Sequence, residues 1–402
     1  MIRIIKKILF ISVLLFSTNI IIYSLEPEPL LFAASAILYD YTTGRVLYEK
    51  DADKPIAPAS MTKLITLYLG WQSIETGQNK RDDIIEITGA GSSFSRPPGS
   101  SLMLLEEGQK VSFIDIMKGL AISSGNDAAY ALANQISGSE SVFVNNMNQL
   151  VRSLGYKHMY FEDPDGWSRF NVITAREYAE FSADYIRTFP YALNEVHSQQ
   201  YFTYPKEENL PPDGARIVTP RKKKNTNILL GKVDGVDGLK TGYIDESGFN
   251  FTATAKRDGS RFIAVILGIK DIPYFEGIAL RAEEAEKLLE YGFRNYKTLY
   301  PEIPELKPIL IWEGREDTVA VEIERKPEFT LSIDEMPSFR SSIRMAKELI
   351  APVGKGDILG SVIYKTADRE VDVINILASN SVEKANIFKV LWHKIKRQFK
   401  KL

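Results

Sequence analysis

Phe249-Asn-Phe-Thr-Ala-Thr-Ala-Lys256, the dipeptide Asp258-Gly259 and Arg261-Phe-Ile-Ala-Val-Ile-Leu-Gly268 follow one another in a single stretch. Two short runs rich in aromatic and β-branched residues, joined through an Asp-Gly turn, read as an antiparallel hairpin. A helix from about Ala279 to Gly292, rich in Ala, Glu and Leu, follows it. Near the other end of the chain, Ala36-Ile-Leu-Tyr-Asp40 and Val46-Leu-Tyr-Glu-Lys50 flank Tyr41-Thr-Thr-Gly-Arg45 and read as two more strands with a tight turn. Between these ends the period changes. After Pro55 and Pro58 a helical stretch runs from about Ser60 toward Ser73, and Val111 to about Tyr185 is mostly helix-like. Within it Ser112-Phe-Ile-Asp-Ile-Met-Lys-Gly-Leu, Asn126-Asp-Ala-Ala-Tyr-Ala-Leu-Ala-Asn and Thr174-Ala-Arg-Glu-Tyr-Ala-Glu show apolar spacing of three and four. Strands at both ends of a helical middle predict an α+β domain, residues 30–296, whose sheet joins N-terminal and C-terminal segments.

Outward from that domain the texture shifts twice. From Pro301, proline punctuation and short alternating runs such as Val319-Ala-Val-Glu-Ile and Ile358-Leu-Gly-Ser-Val-Ile-Tyr364 predict a small all-β domain over 301–378. Over 381–402, Ile387, Phe388, Leu391, Trp392, Ile395 and Phe399 fall on one helical face, with Lys389, Lys394, Lys396, Arg397, Lys400 and Lys401 around it. That pattern predicts a basic amphipathic helix for a membrane surface. At the other terminus, Met1-Ile-Arg-Ile-Ile-Lys-Lys7 precedes an apolar run from Ile8 to Ile22, interrupted by Ser12, Ser17, Thr18 and Asn19. A basic start and a short apolar run ahead of Glu26-Pro-Glu-Pro29 predict a signal peptide or N-terminal anchor over 1–25, and hence export.

Composition limits the chemistry. The 402 residues are 44% apolar and 25% charged, an ordinary globular balance, and a formal net charge of -2 gives no reason to expect nucleic acid. The absence of cysteine removes disulfides, thiolate zinc sites and thiol nucleophiles together. Three histidines, His158, His197 and His393, lie far apart and outside any motif, so His158 and His197 read as structural or exposed. Chemistry here must run on hydroxyls, amines and carboxylates.

Three short motifs supply them in order: Ser60-Met-Thr-Lys63, Ser124-Gly-Asn126 and Lys240-Thr-Gly242. Alone each is weak, as the stray Ser381-Val-Glu-Lys384, Ser17-Thr-Asn19 and Lys365-Thr-Ala367 show. Together they are coherent. Residues three apart share a helix face, so Lys63 can reach the Ser60 hydroxyl. A serine is a poor nucleophile until a base takes its proton, and a lysine can be that base only if burial or a second cation lowers its pKa. Lys240 can be that second cation. Ser124 can relay a proton to a leaving amine, Asn126 can hold Lys63 or the substrate amide, and Gly242 can let a substrate backbone lie close to the strand. The backbone N–H groups of Ser60 and Tyr243 can form an oxyanion hole, and Lys240 and Thr241 can face a substrate carboxylate. The run Arg221-Lys-Lys-Lys224 reads as a solvated loop.

These motifs, with Ala57-Pro-Ala-Ser-Met-Thr-Lys-Leu, Gly99-Ser-Ser-Leu-Met, Glu107-Gly-Gln-Lys-Val, Asp163-Pro-Asp-Gly166, Val236-Asp-Gly-Leu-Lys-Thr-Gly-Tyr243 and Tyr291-Gly-Phe, resemble the serine-type D-alanyl-D-alanine carboxypeptidases among the low-molecular-mass penicillin-binding proteins. The similarity covers nearly the whole chain after the signal. It implies a penicillin-recognising, β-lactamase-like serine-transferase domain, a small all-β domain and a terminal amphipathic anchor. It also implies removal of the terminal D-alanine from peptidoglycan stem peptides without metal or organic cofactor, and inhibition by β-lactams. By that match Ser60 is the acylated nucleophile, Lys63 its base, Ser124 and Asn126 the second element, and Lys240 with Thr241 and Gly242 the substrate-binding strand. One departure stands out: where some relatives carry an arginine that helps hold the substrate carboxylate, this chain reads Asn225-Thr-Asn-Ile-Leu-Leu230.

Other functions would use the same acylation apparatus. A β-lactamase needs rapid deacylation, which in many such enzymes depends on a glutamate in an E-x-x-x-N segment; no Glu is followed four residues later by Asn between Ser124 and Lys240. Slow penicillin turnover is therefore expected. A DD-endopeptidase would use the same nucleophile on crosslinks, and a silent wall-binding scaffold would not need three intact motifs.

Overall fold

The computed structural model describes residues 25–209 and 221–400. The expected signal segment lies outside the described residues except for Leu25, as do Lys401 and the side chains of Phe399 and Lys400.

The hairpin over residues 249–268 supplies two inner strands of a five-stranded antiparallel sheet. Its strands are β1 (Ser35–Asp40), β2 (Val46–Lys50) and, much later in the chain, β7 (Val236–Ile244), β8 (Gly248–Arg257) and β9 (Ser260–Ile269). They lie in the order β2-β1-β9-β8-β7, so N-terminal and C-terminal segments meet where β1 pairs β9, with Ile37 opposite Val265. Every position of β9 is buried because both faces of the sheet are covered. Side chains alternate across a strand, so Ile263, Val265 and Leu267 pack into the helical layer while Phe262, Ala264 and Ile266 pack against the last helix of the unit.

The helical layer holds α1 (Lys63–Glu75), α2 (Phe113–Ile122), α3 (Asn126–Ser137), α4 (Glu140–Ser153) and α5 (Ala175–Thr188). Ser112, Ser139 and Thr174 cap α2, α4 and α5, each side chain accepting from a backbone N–H three residues on. The first helix is apolar all round, from Leu64 to Trp71, and is accordingly buried from its first residue. Two short ribbons flank this layer: β3 (Ile84–Glu86) with β4 (Lys110–Ser112), and β5 (Tyr201–Tyr204) with β6 (Arg221–Lys224). The second corrects the reading of Arg221–Lys224 as a loop. It pairs with an aromatic strand, and its cations point to solvent except where the Lys223 ammonium donates to Leu102 O at 2.8 Å.

On the far face of the sheet lies α6 (Tyr274–Asn295), longer at both ends than its Ala-Glu-Leu core suggested. It runs straight into β10 (Tyr296–Leu299), which pairs with β14 (Phe329–Ser332). The remaining C-terminal strands are β11 (Ile309–Trp312), β12 (Thr318–Val319), β13 (Val321–Ile323), β15 (Arg340–Met345), β16 (Glu348–Ile350), β17 (Ile358–Lys365) and β18 (Glu370–Ala378). They form a three-stranded and a four-stranded sheet, orders β12-β11-β16 and β13-β18-β17-β15, around two compact apolar clusters. This is the all-β part expected from the sequence. The last element, α7 (Ile387–Lys400), rests on it through one edge: Val390 is buried, and His393 Nδ1 accepts from the Glu313 N–H at 2.7 Å. Its Ile387, Phe388, Leu391, Trp392 and Ile395 side chains stay exposed.

Candidate active site

The turn before α1 is where the sequence expectation and the structure first diverge. Ser60 does not open an α-helix; it sits in a single 3-10 turn, Ala59–Thr62, and the α-helix begins at Lys63. Ala59 is held at φ +52°, a conformation most side chains avoid, which turns the chain sharply just ahead of Ser60. Two glycines make room for that turn. Gly166, at φ +83°, passes so close that a Cβ there would overlap Ala59 O and lie 2.8 Å from Ser60 N. Gly242 on β7 passes on another side, where a Cβ would overlap Pro58 O. Gly242 is expected to leave room for a substrate backbone, and it lines the cavity; its missing side chain also lets β7 run against the Ser60 turn.

Lys63 is fully buried, and its amine is the hub of the site. Nζ lies 2.8 Å from Ser60 Oγ, 2.8 Å from Asn126 Oδ1 and 2.5 Å from Asp165 O. Asn126 and Asp165 O are pure acceptors here, so a neutral amine spends its two N–H bonds on them and keeps its lone pair for the Ser60 hydroxyl proton. The electrostatics point the same way. Burial pushes the Lys63 amine below its ordinary 10.5, against the opposing pull of Asp165, Asp163 and Asp127, and burial wins.

Ser124 stands on the opposite side of this cluster at φ +56°, between α2 and α3. Non-glycine residues held there cost about 1–3 kcal/mol each and concentrate at functional sites. The Lys240 ammonium donates to Ser124 Oγ at 2.8 Å and to Thr241 O at 3.0 Å, and is itself 1% exposed. Burial, then the nearby Lys63 and Arg281 charges, hold Lys240 well below the usual lysine range. Lys240 therefore stands behind Ser124 rather than on the open wall. The cavity between these groups has a volume of about 250 Å³ and is lined by Ser60, Ser124, Asn126, Thr241, Gly242 and Tyr243, among others. The structure thus brings all three motifs to one small hollow, with both backbone positions expected to form the oxyanion hole on its wall.

Several residues that matter here had no role assigned to them from the sequence, although Asp127 and Asp163 lie in or beside quoted motifs. Asp127, completely buried, accepts from the backbone N–H groups of Met103, Leu104, Leu105 and Ala128 at 2.8–2.9 Å and so clamps the loop 101–105 that faces Ser124 and Asn126. Asp163 does the same for the 163–168 loop, accepting from Gly166 N, Ser168 N and Asn171 Nδ2. Thr226 occupies the stretch where an arginine was sought; its Oγ1 lies 2.9 Å from Thr241 Oγ1 on the cavity wall. Arg281, from α6, lines the same cavity with burial holding it at about 10, below its usual 12.5. His197 is structural: it is buried, bonded to Tyr185 Oη at 2.8 Å and Leu239 O at 3.2 Å, and burial depresses it to about 4. His158 is a surface residue paired with Glu177.

Comparison with known proteins identifies the family and the fold. Residues 24–271 match the family described as D-alanyl-D-alanine carboxypeptidase, and residues 295–384 match that described as penicillin-binding protein 5, C-terminal domain. The chain is 30% identical over 380 residues to D-alanyl-D-alanine carboxypeptidase DacC of Escherichia coli, covering 92% of this chain and 89% of that one. It is also 30% identical over 364 residues to DacF of Bacillus subtilis, covering 89% and 88%. Among solved structures, penicillin binding protein 5 from Haemophilus influenzae superposes with a TM-score of 0.76 at 28% identity, over 89% of this chain and all of that one.

Proposed function

The chain belongs to the D-alanyl-D-alanine carboxypeptidase family, and from that premise we propose how its own residues carry out the hydrolysis. Ser60 Oγ attacks the carbonyl carbon of the penultimate D-alanine while its proton passes to the Lys63 amine. The oxyanion that forms accepts from the backbone N–H groups of Ser60 and Tyr243. The C–N bond breaks as the departing D-alanine nitrogen takes a proton delivered through Ser124, which Lys240 orients. Water then attacks the ester carbonyl, its proton passing to the Lys63 amine and on to Ser60 Oγ as the acyl C–O bond breaks, and the shortened stem peptide leaves with its new carboxylate. No cofactor enters any step. The observation that carries the reading is the Lys63 amine held 2.8 Å from Ser60 Oγ with two carbonyl oxygens taking its N–H bonds. D-Alanine release from a peptide ending in D-Ala-D-Ala is expected from the wild type and absent from Ser60→Ala; equal release by both would remove Ser60 from the mechanism.

β7 is an edge strand, and the cavity lies along it at Thr241 to Tyr243. An extended stem peptide can therefore lie beside that edge. Residues 30–296 form the catalytic unit in this reading, 301–378 a spacer, and 381–402 a membrane-surface segment. The tail assignment rests on α7, which docks by Val390 and His393 while presenting Phe388, Leu391, Trp392 and Ile395 outward among lysines. Among the described residues no helix is long and apolar enough to cross a membrane, so attachment through α7 would be peripheral. Together with the N-terminal signal pattern, this supports a position on the outer side of the cytoplasmic membrane. Cell fractionation tests both halves. The full chain should sediment with membranes and the chain lacking 381–402 should be released with soluble envelope proteins; finding the truncated form in the cytosol would argue against export.

A further inference from the structure

Where β7 leaves the cavity, three aromatic side chains stand in a row with little covering them. Tyr243 on β7 is 36% exposed, and Tyr274 and Phe275 at the start of α6 are 52% and 84% exposed. Tyr243 rests on the buried Phe249 with ring centres 4.4 Å apart, and Tyr274 meets Tyr243 edge-on at 5.2 Å. Phe275 continues the row, edge-on to Tyr274 at 5.7 Å. Tyr243 Oη donates to Asp245 Oδ1 at 2.6 Å, which fixes the first ring. Full burial of a phenylalanine is worth about 1.5–3 kcal/mol, and Phe275 forgoes nearly all of it. Single exposed apolar residues need no explanation, but a run of touching rings does.

The row is continuous with the catalytic hollow. Tyr243 and Tyr274 line the same cavity as Ser60, and Phe275 is the next ring beyond them. With the substrate carboxylate facing Thr241 and the reacting carbonyl at the Tyr243 N–H, the remainder of the stem leaves past Tyr243. In a pentapeptide stem three residues lie between the acylating D-alanine and the sugar, about 10 Å when extended. Steps of 5.2 and 5.7 Å between ring centres cover the same reach. What meets the outer rings is therefore a pyranose. Its axial C–H groups pack on the electron-rich face of an aromatic ring, and its hydroxyls need polar neighbours. The rim supplies them in the Tyr274 hydroxyl and the exposed Asp245, Glu246 and Glu276. These acids outnumber Lys270, whose ammonium donates to Glu246 O, so an anionic lipid surface is disfavoured here.

We propose that the row Tyr243, Tyr274 and Phe275 is a carbohydrate-binding surface that holds the amino sugar to which the stem peptide is attached. This rests on the carboxypeptidase reading above and adds a contact to the glycan that hydrolysis of a peptide does not itself require. The enzyme then prefers attached stems to free peptide. The gain appears in KM, because the sugar is held alike before and during the attack on the distant carbonyl.

The test uses one pentapeptide ending in D-Ala-D-Ala in two forms, free and carried on its wall disaccharide. For the wild type, kcat/KM is expected to be about 3- to 10-fold higher on the disaccharide form, the scale of one aromatic contact. In Phe275→Ala that advantage should disappear through a raised KM, while the rate on the free peptide stays within about twofold. Phe275→Trp keeps a flat ring and should keep the advantage; Phe275→Gln decides the matter if the alanine variant folds poorly. Equal wild-type rates on the two forms would overturn the proposal. So would an advantage that survives loss of the Phe275 ring, which would leave the row to a protein partner. Equal losses on both forms in Phe275→Ala would make the ring a support for the cavity wall and overturn it as well. A wild-type enzyme inert toward both forms would instead overturn the carboxypeptidase reading on which it rests.

Discussion

At the scale of one residue, the decisive feature is an amine that burial pulls down to about 8, so that a deprotonated fraction is available near neutral pH. An exposed lysine would be charged at neutral pH and unable to accept the Ser60 proton. Lys63 is depressed by desolvation, and its three oxygen neighbours suit the neutral form. The sign of the pH dependence follows. The working form is the deprotonated amine, so acylation of Ser60 should speed up as pH rises through the Lys63 pKa and level off above it, with the midpoint below the ordinary 10.5. In Lys63→Arg the side chain stays protonated across that range, so the rise should vanish and the plateau rate drop by about 10²- to 10⁴-fold, the usual worth of a general base. Stopped-flow acylation by a chromogenic β-lactam across pH 6–10 measures both; an unchanged profile in the variant would remove Lys63 as the base. The pairing of Ser60 with Lys63 was legible in the sequence because a spacing of three is a local fact. Arg281 was not legible: its contact at Gly242 is 39 residues away, and no spacing rule connects a helix residue to a strand edge across the sheet.

At the scale of elements, what the sequence announced was whatever its own neighbours decide. The β8–β9 hairpin, the β1–β2 hairpin and the apolar faces of α2, α3 and α5 follow from local period and turn chemistry, and they form where expected. The turn carrying Ser60 does not, because Ala59 is forced to positive φ by tertiary neighbours rather than by its own preference. The Arg221–Lys224 strand was missed for a related reason: four consecutive cations look like a solvated loop until Tyr201–Tyr204 lies beside them. Glycines separate local from tertiary demand cleanly. Gly77, just past α1, and Gly166 share a positive φ, +75° and +83°, but a Cβ at Gly77 would meet nothing within 4 Å, whereas one at Gly166 would strike the Ser60 turn. Gly77→Ala should therefore cost only the backbone penalty, about 1–2 kcal/mol of stability, and leave kcat/KM intact. Gly166→Ala should cost more stability and reduce acylation at least about 100-fold, since a displacement near 1 Å at a nucleophile is worth that much. Thermal melts alongside β-lactam acylation check the contrast, and equal activity in the two variants would refute the role given to the Gly166 approach.

For the whole molecule, the catalytic unit and the all-β part that carries α7 meet at a joint. The joint is small and charged. Arg45, in the β1–β2 turn, donates through Nη1 to Glu335 Oε2 and to Thr330 O, both at 2.8 Å. Arg369 grips the other oxygen of Glu335 at 2.7–2.8 Å, and the Ser332 N–H adds a bond at 2.9 Å. Asp40 at the end of β1 accepts from Thr330 Oγ1 at 2.7 Å, so both units share the same few residues. Burial alone would raise the Glu335 carboxyl, but the bonds from Arg45, Ser332 N and Arg369 outweigh it and hold it at about 2. A carboxylate depressed in the fold contributes stability that is fully present above its unfolded pKa, near 4.5, and is lost as pH falls from there toward 2. Glu335→Gln keeps the shape and removes the charge, so it should lower stability by about 1–3 kcal/mol at pH 7, the range for charge-assisted bonds of a largely buried group, with the difference from wild type shrinking as pH drops below 4.5. Hydrolysis of a small soluble peptide should be unchanged, because no residue of the joint reaches the cavity beside Ser60. On the proposed attachment of α7 to a membrane surface, hydrolysis of intact wall material by the membrane-bound enzyme should fall, because the distance and angle between α7 and the β7 edge would then set which stem peptides can be reached. Parallel assays on soluble peptide and on isolated cell wall separate these effects; equal loss on both would mean that Glu335 supports the catalytic unit itself and that the joint does not set its reach.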